Sequence, residues 1–195
     1  MKVIVEEAHK AVRKVAVHAQ GEIGIRDAVM AGVDSIEHGI FLTDEIIDLM
    51  IERGTFLVPT LSALHFIKQA GIEGGVLKDV FDKTERVLES HCNSFVKAYK
   101  RGGKIACGTD AGTPCNIHGK TSYELKLMIE NGMTPMDAIK TTTSEVAILL
   151  VIEKEYGSIE VGKKADILVL NENPIVNIET LFNVESVYKL GKLVK

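Results

Sequence analysis

Two histidines and an aspartate, His18, His38 and Asp110, each close a short apolar run in this 195-residue sequence. The runs are Val15-Ala16-Val17-His18-Ala19, Ser35-Ile36-Glu37-His38-Gly39 and Lys104-Ile105-Ala106-Cys107-Gly108-Thr109-Asp110. A divalent cation such as zinc binds neutral imidazole nitrogen and carboxylate oxygen, and in a catalytic site it keeps one position for water. Two imidazoles and one carboxylate are such a set. The cation lowers the pKa of its water, and a neighbouring carboxylate takes the proton and later returns it to a leaving group. Asp110 is the residue best placed for that role.

Each residue also has a plainer reading. A lone strand histidine is more often a hydrogen-bonded core residue than a ligand, and Asp110 could serve only as a helix cap or turn former. The joint pattern carries the argument. Three polar groups at three strand ends cost desolvation unless something compensates them.

The elements that must position these residues alternate. The three runs above, together with Thr55-Phe56-Leu57-Val58-Pro59-Thr60-Leu61, are short and apolar, as strands buried on both faces of a parallel sheet are. Between them lie stretches with helical spacing. Ile4, Ala8 and Ala11 share one face, and Ile25, Ala28 and Val29 share another that Gly32 closes. Thr43 is an N-cap followed by Asp44 and Glu45, and Gly54 ends the helix that begins there. A longer helix is expected from about Lys78 to Arg101, ending at Gly102-Gly103. Two more should follow the turn-rich loop Ala111-Gly112-Thr113-Pro114-Cys115-Asn116. For the second of these, Thr134, Pro135 and Asp137 form the N-terminus, and the helix runs to about Leu150. The first helix lacks a closing glycine, having Val12 and Arg13 instead.

From Gly157 the character changes. Ala165–Leu170 and Ser186–Leu190 read as strands, with Gly191-Lys192-Leu193-Val194 as the second arm of a hairpin. We therefore divide the chain into residues 1–155, an α/β unit, and 156–195, a small β unit. Alternating strand and helix imply βαβ crossovers, which suit either a doubly wound sheet or a (β/α) barrel. Polar residues at the C-terminal strand ends favour the barrel. No glycine-rich phosphate loop supports a doubly wound nucleotide binder.

Composition narrows the classes further. With 46% hydrophobic and 26% charged residues, a packed core is expected rather than disorder. A net charge of −4 without any basic tract gives no nucleic-acid surface. Two acids, Glu6 and Glu7, stand where a signal peptide needs an apolar run, and no apolar stretch reaches roughly 18 residues, so no membrane partner is expected. Three cysteines, Cys92, Cys107 and Cys115, form no Cys-x-x-Cys pair and fit a reducing compartment, the cytoplasm. Cys107 and Cys115 are read as packing residues.

The ordered motifs resemble the amidohydrolase superfamily. Val17-His18-Ala19-Gln20-Gly21, Ser35–Gly39, Val58-Pro59-Thr60-Leu61 and Gly108–Pro114 look like its fifth to eighth barrel strands. Gly157–Ile167 resembles the segment leading back into that family's small β-sandwich. The likeness implies the C-terminal half of a (β/α)8 TIM-type barrel plus the C-terminal part of a β-sandwich. The Thr109–Pro114 stretch, with Asn116 and His118-Gly119, looks most like prolidase-like dipeptidases and carboxypeptidases, and imidazolonepropionases are the nearest alternative. By resemblance His18 and His38 bind metal, Asp110 is ligand and general base, and the reaction is hydrolysis of an amide bond in a dipeptide or N-acyl amino acid. His118, in the loop after the last barrel strand, is a candidate for the substrate's polar end, and His65 a weaker one. His9 and His91 fall in helices and are read as surface or structural.

Departures from the family pattern matter. Its His-x-His pair is absent, and the lysine that bridges two metals would precede Met1. One zinc is expected, with the second in doubt. Four strands cannot close a barrel, and two sheet edges would stay unpaired. The expected partners are therefore a missing N-terminal half or a second copy in a homo-oligomer. A catalytically silent half-barrel acting as an assembly module is the competing reading.

Overall fold

The computed structural model describes residues 1–113 and 115–195. Pro114, which the sequence places in the turn-rich loop after Asp110, lies outside the described residues. The first part runs α1 (Lys2–Lys10), β1 (Ala16–Ala19), α2 (Glu22–Ala31), β2 (Ser35–His38), α3 (Asp44–Arg53), β3 (Phe56–Val58), α4 (Leu61–Ala70) and α5 (Lys78–Lys100). It continues through α6 (Thr121–Glu130), α7 (Pro135–Thr141) and α8 (Ser144–Leu149). The tail holds β4 (Ile167–Val169), a 3-10 helix (Ile178–Phe182), β5 (Ser186–Lys189) and β6 (Lys192–Leu193).

Strands β1, β2 and β3 form a parallel sheet in that order, joined by helical crossovers. The register pairs Val17 with Ile36 and Ile36 with Leu57, and His18 with Glu37 and Glu37 with Val58. Side chains alternate across a strand, so these two rows lie on opposite faces. The first row packs into the main core with Ile25, Val29, Ile46, Ile47 and Phe95 from α2, α3 and α5. The second row faces a much smaller cluster of Phe56, Val58 and Ala106, with Val146 and Leu149 from α8. The polar residues His18 and Glu37 belong to this thinly covered face.

Local signals set the helix ends. The Thr43 hydroxyl accepts from Ile46 N, and Thr134 from Asp137 N, with Pro135 in the first turn. Gly32 and Gly54 take left-handed conformations at the ends of α2 and α3. Where the first helix lacks a glycine, Val12 itself adopts φ +55°, which brings Arg13 N to Ala8 O.

Four sequence expectations change. The run Lys104–Asp110 does not form a full strand; a single parallel bridge joins Leu57 to Ile105, and then Cys107 N turns to donate to Thr141 O. The run beginning at Thr55 stops at Val58, and α4 starts at Leu61. The helix beginning at Pro135 breaks after Thr141, where the Thr142 and Thr143 hydroxyls donate back to Ile139 O, and restarts as α8. Cys107 packs against the main core, whereas Cys115 is exposed and is no packing residue.

The tail forms a separate antiparallel sheet, β4-β5-β6. Its hairpin pairs Lys189 with Lys192 across Leu190 and Gly191, both at positive φ, the geometry of a tight two-residue turn. The 3-10 helix docks on α6: Ser122 Oγ donates to Leu181 O at 3.2 Å, Lys126 pairs with Glu179 at 2.6 Å, and Ile178 and Leu181 pack against the main core. Among the described residues no helix is long and apolar enough to cross a membrane.

Candidate metal centre

The register pairs His38 with Ala19, not with His18. In regular strands the two imidazoles would therefore project to opposite faces. His38 instead sits at φ +72°, which breaks the alternation and turns its ring toward His18. The rings meet edge-on with centroids 4.4 Å apart, and His38 Nε2 lies 2.8 Å from His18 Nδ1. The next residue, Gly39, is also left-handed, at φ +58°, and a Cβ there would fall 2.6 Å from Leu57 Cδ1, so a larger residue would add backbone strain and push the Leu57 side chain aside.

Behind the pair lies a chain of hydrogen bonds. His38 Nδ1 is 2.7 Å from Thr60 Oγ1, and the Thr60 hydroxyl donates to Pro59 O at 2.7 Å. A Thr60 hydroxyl that donates to Pro59 O accepts from His38 Nδ1, the arrangement in which His38 Nε2 turns its lone pair toward His18. His91 Nε2 donates to the same Pro59 oxygen at 2.6 Å. His91 is 1% exposed, and burial lowers its pKa to about 4, so it is a neutral structural residue rather than a surface one. Its Nδ1 has no hydrogen-bond partner among the described residues.

Asp110, like His38 and Thr60, ends its segment in left-handed backbone, at φ +51°. Its side chain is exposed, and its charge reaches both Glu37 and His38. Burial lowers the His38 pKa and the neighbouring His18 lowers it further, with Asp110 opposing. Burial raises the Glu37 carboxyl against the pull of Ser35 Oγ, which donates to it at 2.6 Å, and Asp110 adds to the rise.

The structure thus joins His18 and His38 directly and brings Asp110 within electrostatic reach. Among the described residues, no three His, Cys, Asp or Glu side chains already stand as a ready cation cage. The donor chemistry nevertheless fits a divalent ion. Tetrahedral ligands at zinc–nitrogen bond lengths stand roughly 3.3 Å apart, so the 2.8 Å imidazole contact need open only slightly. A neutral His38 with its far nitrogen held by a hydrogen bond is how metal-binding histidines are oriented. His118 lies in the loop after Asp110, with Nε2 3.5 Å from where a Cβ on Gly112 would sit. His65 is half-buried in α4 against Phe66, and no hydrogen bond among the described residues ties it to the pair.

Sequence reasoning missed Glu124. It is fully buried on α6, and its two oxygens accept from Leu61 N and Ser62 N at 2.7 Å each. Burial pushes its carboxyl up to about 7 against the pull of those donors. A signal was available: Glu124 shares a helix face with Leu127 and Met128, and a carboxylate on an apolar face needs a partner.

The amidohydrolase family matches residues 1–194. The chain belongs to the amidohydrolase family. It is 35% identical over its whole length to the ochratoxinase of Aspergillus niger, of which it covers 41%. Its structure is similar to that of a Xaa-Pro dipeptidase with methionine bound in the active site, at a TM-score of 0.93 and 44% identity, covering 100% of this chain and 48% of that one. A prolidase complexed with N-methylphosphonate-L-proline superposes at a TM-score of 0.91 with 31% identity, covering 100% of this chain and 48% of the prolidase. This amidohydrolase-family chain therefore spans less than half the length of the relatives it matches.

Proposed function

We propose that this chain supplies the C-terminal half of a metal-dependent amidohydrolase that cleaves the C–N bond of a dipeptide or N-acyl amino acid, in the manner of a prolidase. In this reading residues 1–155 are the last part of a (β/α)8 barrel and 156–195 part of a small β-sandwich. The enzyme works in the cytoplasm, and the thinly covered face of β1–β3 meets the N-terminal half or a second copy. The observation that carries the reading is the His18–His38 contact at 2.8 Å, with His38 Nδ1 2.7 Å from Thr60 Oγ1.

His18 Nδ1 and His38 Nε2 would hold the cation once the proton that His18 Nδ1 shares with His38 has moved to His18 Nε2, with Asp110 as the carboxylate beside them. A divalent ion such as zinc supplies Lewis acidity and lowers the pKa of water. Asp110 is exposed at its segment's end, where it can take the proton from an attacking water and then give it to the departing amine. As water adds to the carbonyl carbon and the C–N bond breaks, that transfer releases a carboxylic acid and a neutral amine. His118 contacts the polar end of the substrate, and His65 lies further out along α4.

The test is hydrolysis of Xaa-Pro dipeptides by the full-length, zinc-loaded protein and its Asp110→Asn variant. Turnover falls by about 10²–10⁴-fold while the circular dichroism spectrum is unchanged. A variant with full activity contradicts the role of Asp110. A wild-type protein that neither binds metal nor hydrolyses any such substrate would support the assembly-module reading instead.

A further inference from the structure

Helix α4 begins without a side-chain cap from the residue that precedes it. Thr60 immediately precedes Leu61, and a threonine there ordinarily accepts from the second or third N–H of the helix. No such bond forms. The Thr60 hydroxyl is turned the other way, between Pro59 O and His38 Nδ1. The first donors of α4, Leu61 N and Ser62 N, belong to buried residues that are 3% and 0% exposed, so water cannot readily serve them. Both are instead taken by Glu124, from a helix more than 60 residues further along the chain.

These facts form one arrangement. In extended backbone the Thr60 hydroxyl would serve α4; in the left-handed backbone it has, it meets His38, and the carboxylate from α6 serves α4 in its place. Ser62 Oγ, which donates to Thr109 O at 3.3 Å, ties the same helix start to the residue before Asp110.

We propose that Glu124 is a positioning residue for His38: by capping α4 from α6, it frees the Thr60 hydroxyl to fix the His38 tautomer and aim Nε2 at His18. The metal arm of the test rests on the proposed function, whereas the tautomer arm reads His38 without any metal.

The experiment uses the full-length protein, metal-free, with ¹⁵N-labelled histidine. Two-bond ¹H–¹⁵N correlation spectra assign the tautomer of His38 in wild type, Glu124→Ala, Glu124→Gln and Thr60→Val. Zinc affinity is then measured by competition with a chromophoric chelator. Wild type shows His38 protonated on Nδ1. Glu124→Ala lets Thr60 relax to extended backbone and cap α4, the His38 signals shift toward a mixture of tautomers, and zinc affinity drops about tenfold. Glu124→Gln keeps one acceptor oxygen and shifts the same signals less; it carries the test if the alanine variant fails to fold. On a Thr60→Val background, loss of Glu124 produces no further change in tautomer or affinity. An unshifted His38 tautomer in both Glu124 variants overturns the proposal. So does a zinc-affinity loss of equal size with and without the Thr60 hydroxyl. If the Glu124 variants shift the His38 tautomer but wild type binds no zinc, the metal reading fails and this inference stands.

Discussion

His38 Nδ1 and Thr60 Oγ1 meet at 2.7 Å across the ends of adjacent strands, and both residues hold left-handed backbone to do so, at φ +72° and +53°. Residues with side chains avoid that region, and two of them side by side store strain. The same strain recurs at Asp110, at φ +51°. The conformations at these segment ends converge on one place, the open face where His18 points.

Thr60→Val keeps the shape of the side chain and removes the acceptor. We expect zinc affinity to fall by about 10–100-fold, the usual effect of losing a group that orients a metal-bound histidine. Thr60→Ser should restore most of it. Chelator competition on the full-length protein makes the measurement, and an unchanged affinity in the valine variant would refute the orienting role.

Glu124 should make stability depend on pH. Its ordinary carboxyl value is 4.5, and burial raises it to about 7 in the folded protein. The folded state then binds this proton more tightly than the unfolded chain, so unfolding releases it between these values and stability falls as the pH rises through the window. At ~1.4 kcal/mol per pH unit the loss is about 3 kcal/mol. Its neighbour Cys107 stays neutral there, because burial and the Glu124 charge push the thiol far above its usual range. Urea unfolding at several pH values should show that slope in wild type and a flatter one in Glu124→Gln; identical slopes would contradict the assignment.

Much of the frame was legible because its signals are local. Thr43 with Gly54, and Thr134 with Pro135, mark helix ends within a few residues of themselves, and His18 and His38 announce themselves as polar groups closing apolar runs. Helix α4 was not legible. Its first residue, Leu61, closes the apolar run that begins at Thr55, and its first donors are taken by Glu124, which no local pattern links to it. The run from Lys104 has strand composition, but its backbone leaves the sheet after Ala106 when Cys107 N finds Thr141 O. Which face the His38 ring occupies depends on a positive φ that histidine rarely adopts, so the spacing of the two histidines could not supply it.

Val12 offers a stabilising change. It is 86% exposed and β-branched, and it holds φ +55° where helices commonly place glycine. Relieving left-handed strain outweighs the extra freedom glycine gives the unfolded chain, so Val12→Gly should add about 0.5–1 kcal/mol. A urea midpoint that moves downward with unchanged slope would show that Val12 carries no such strain.

The histidine pair itself is tested by zinc binding to the full-length protein, with His18→Ala and His38→Ala alongside wild type, followed by metal analysis and calorimetry. The account predicts bound zinc in wild type and an affinity at least about 100-fold weaker in each variant, with helical content retained. Zinc bound equally well without either imidazole would contradict it.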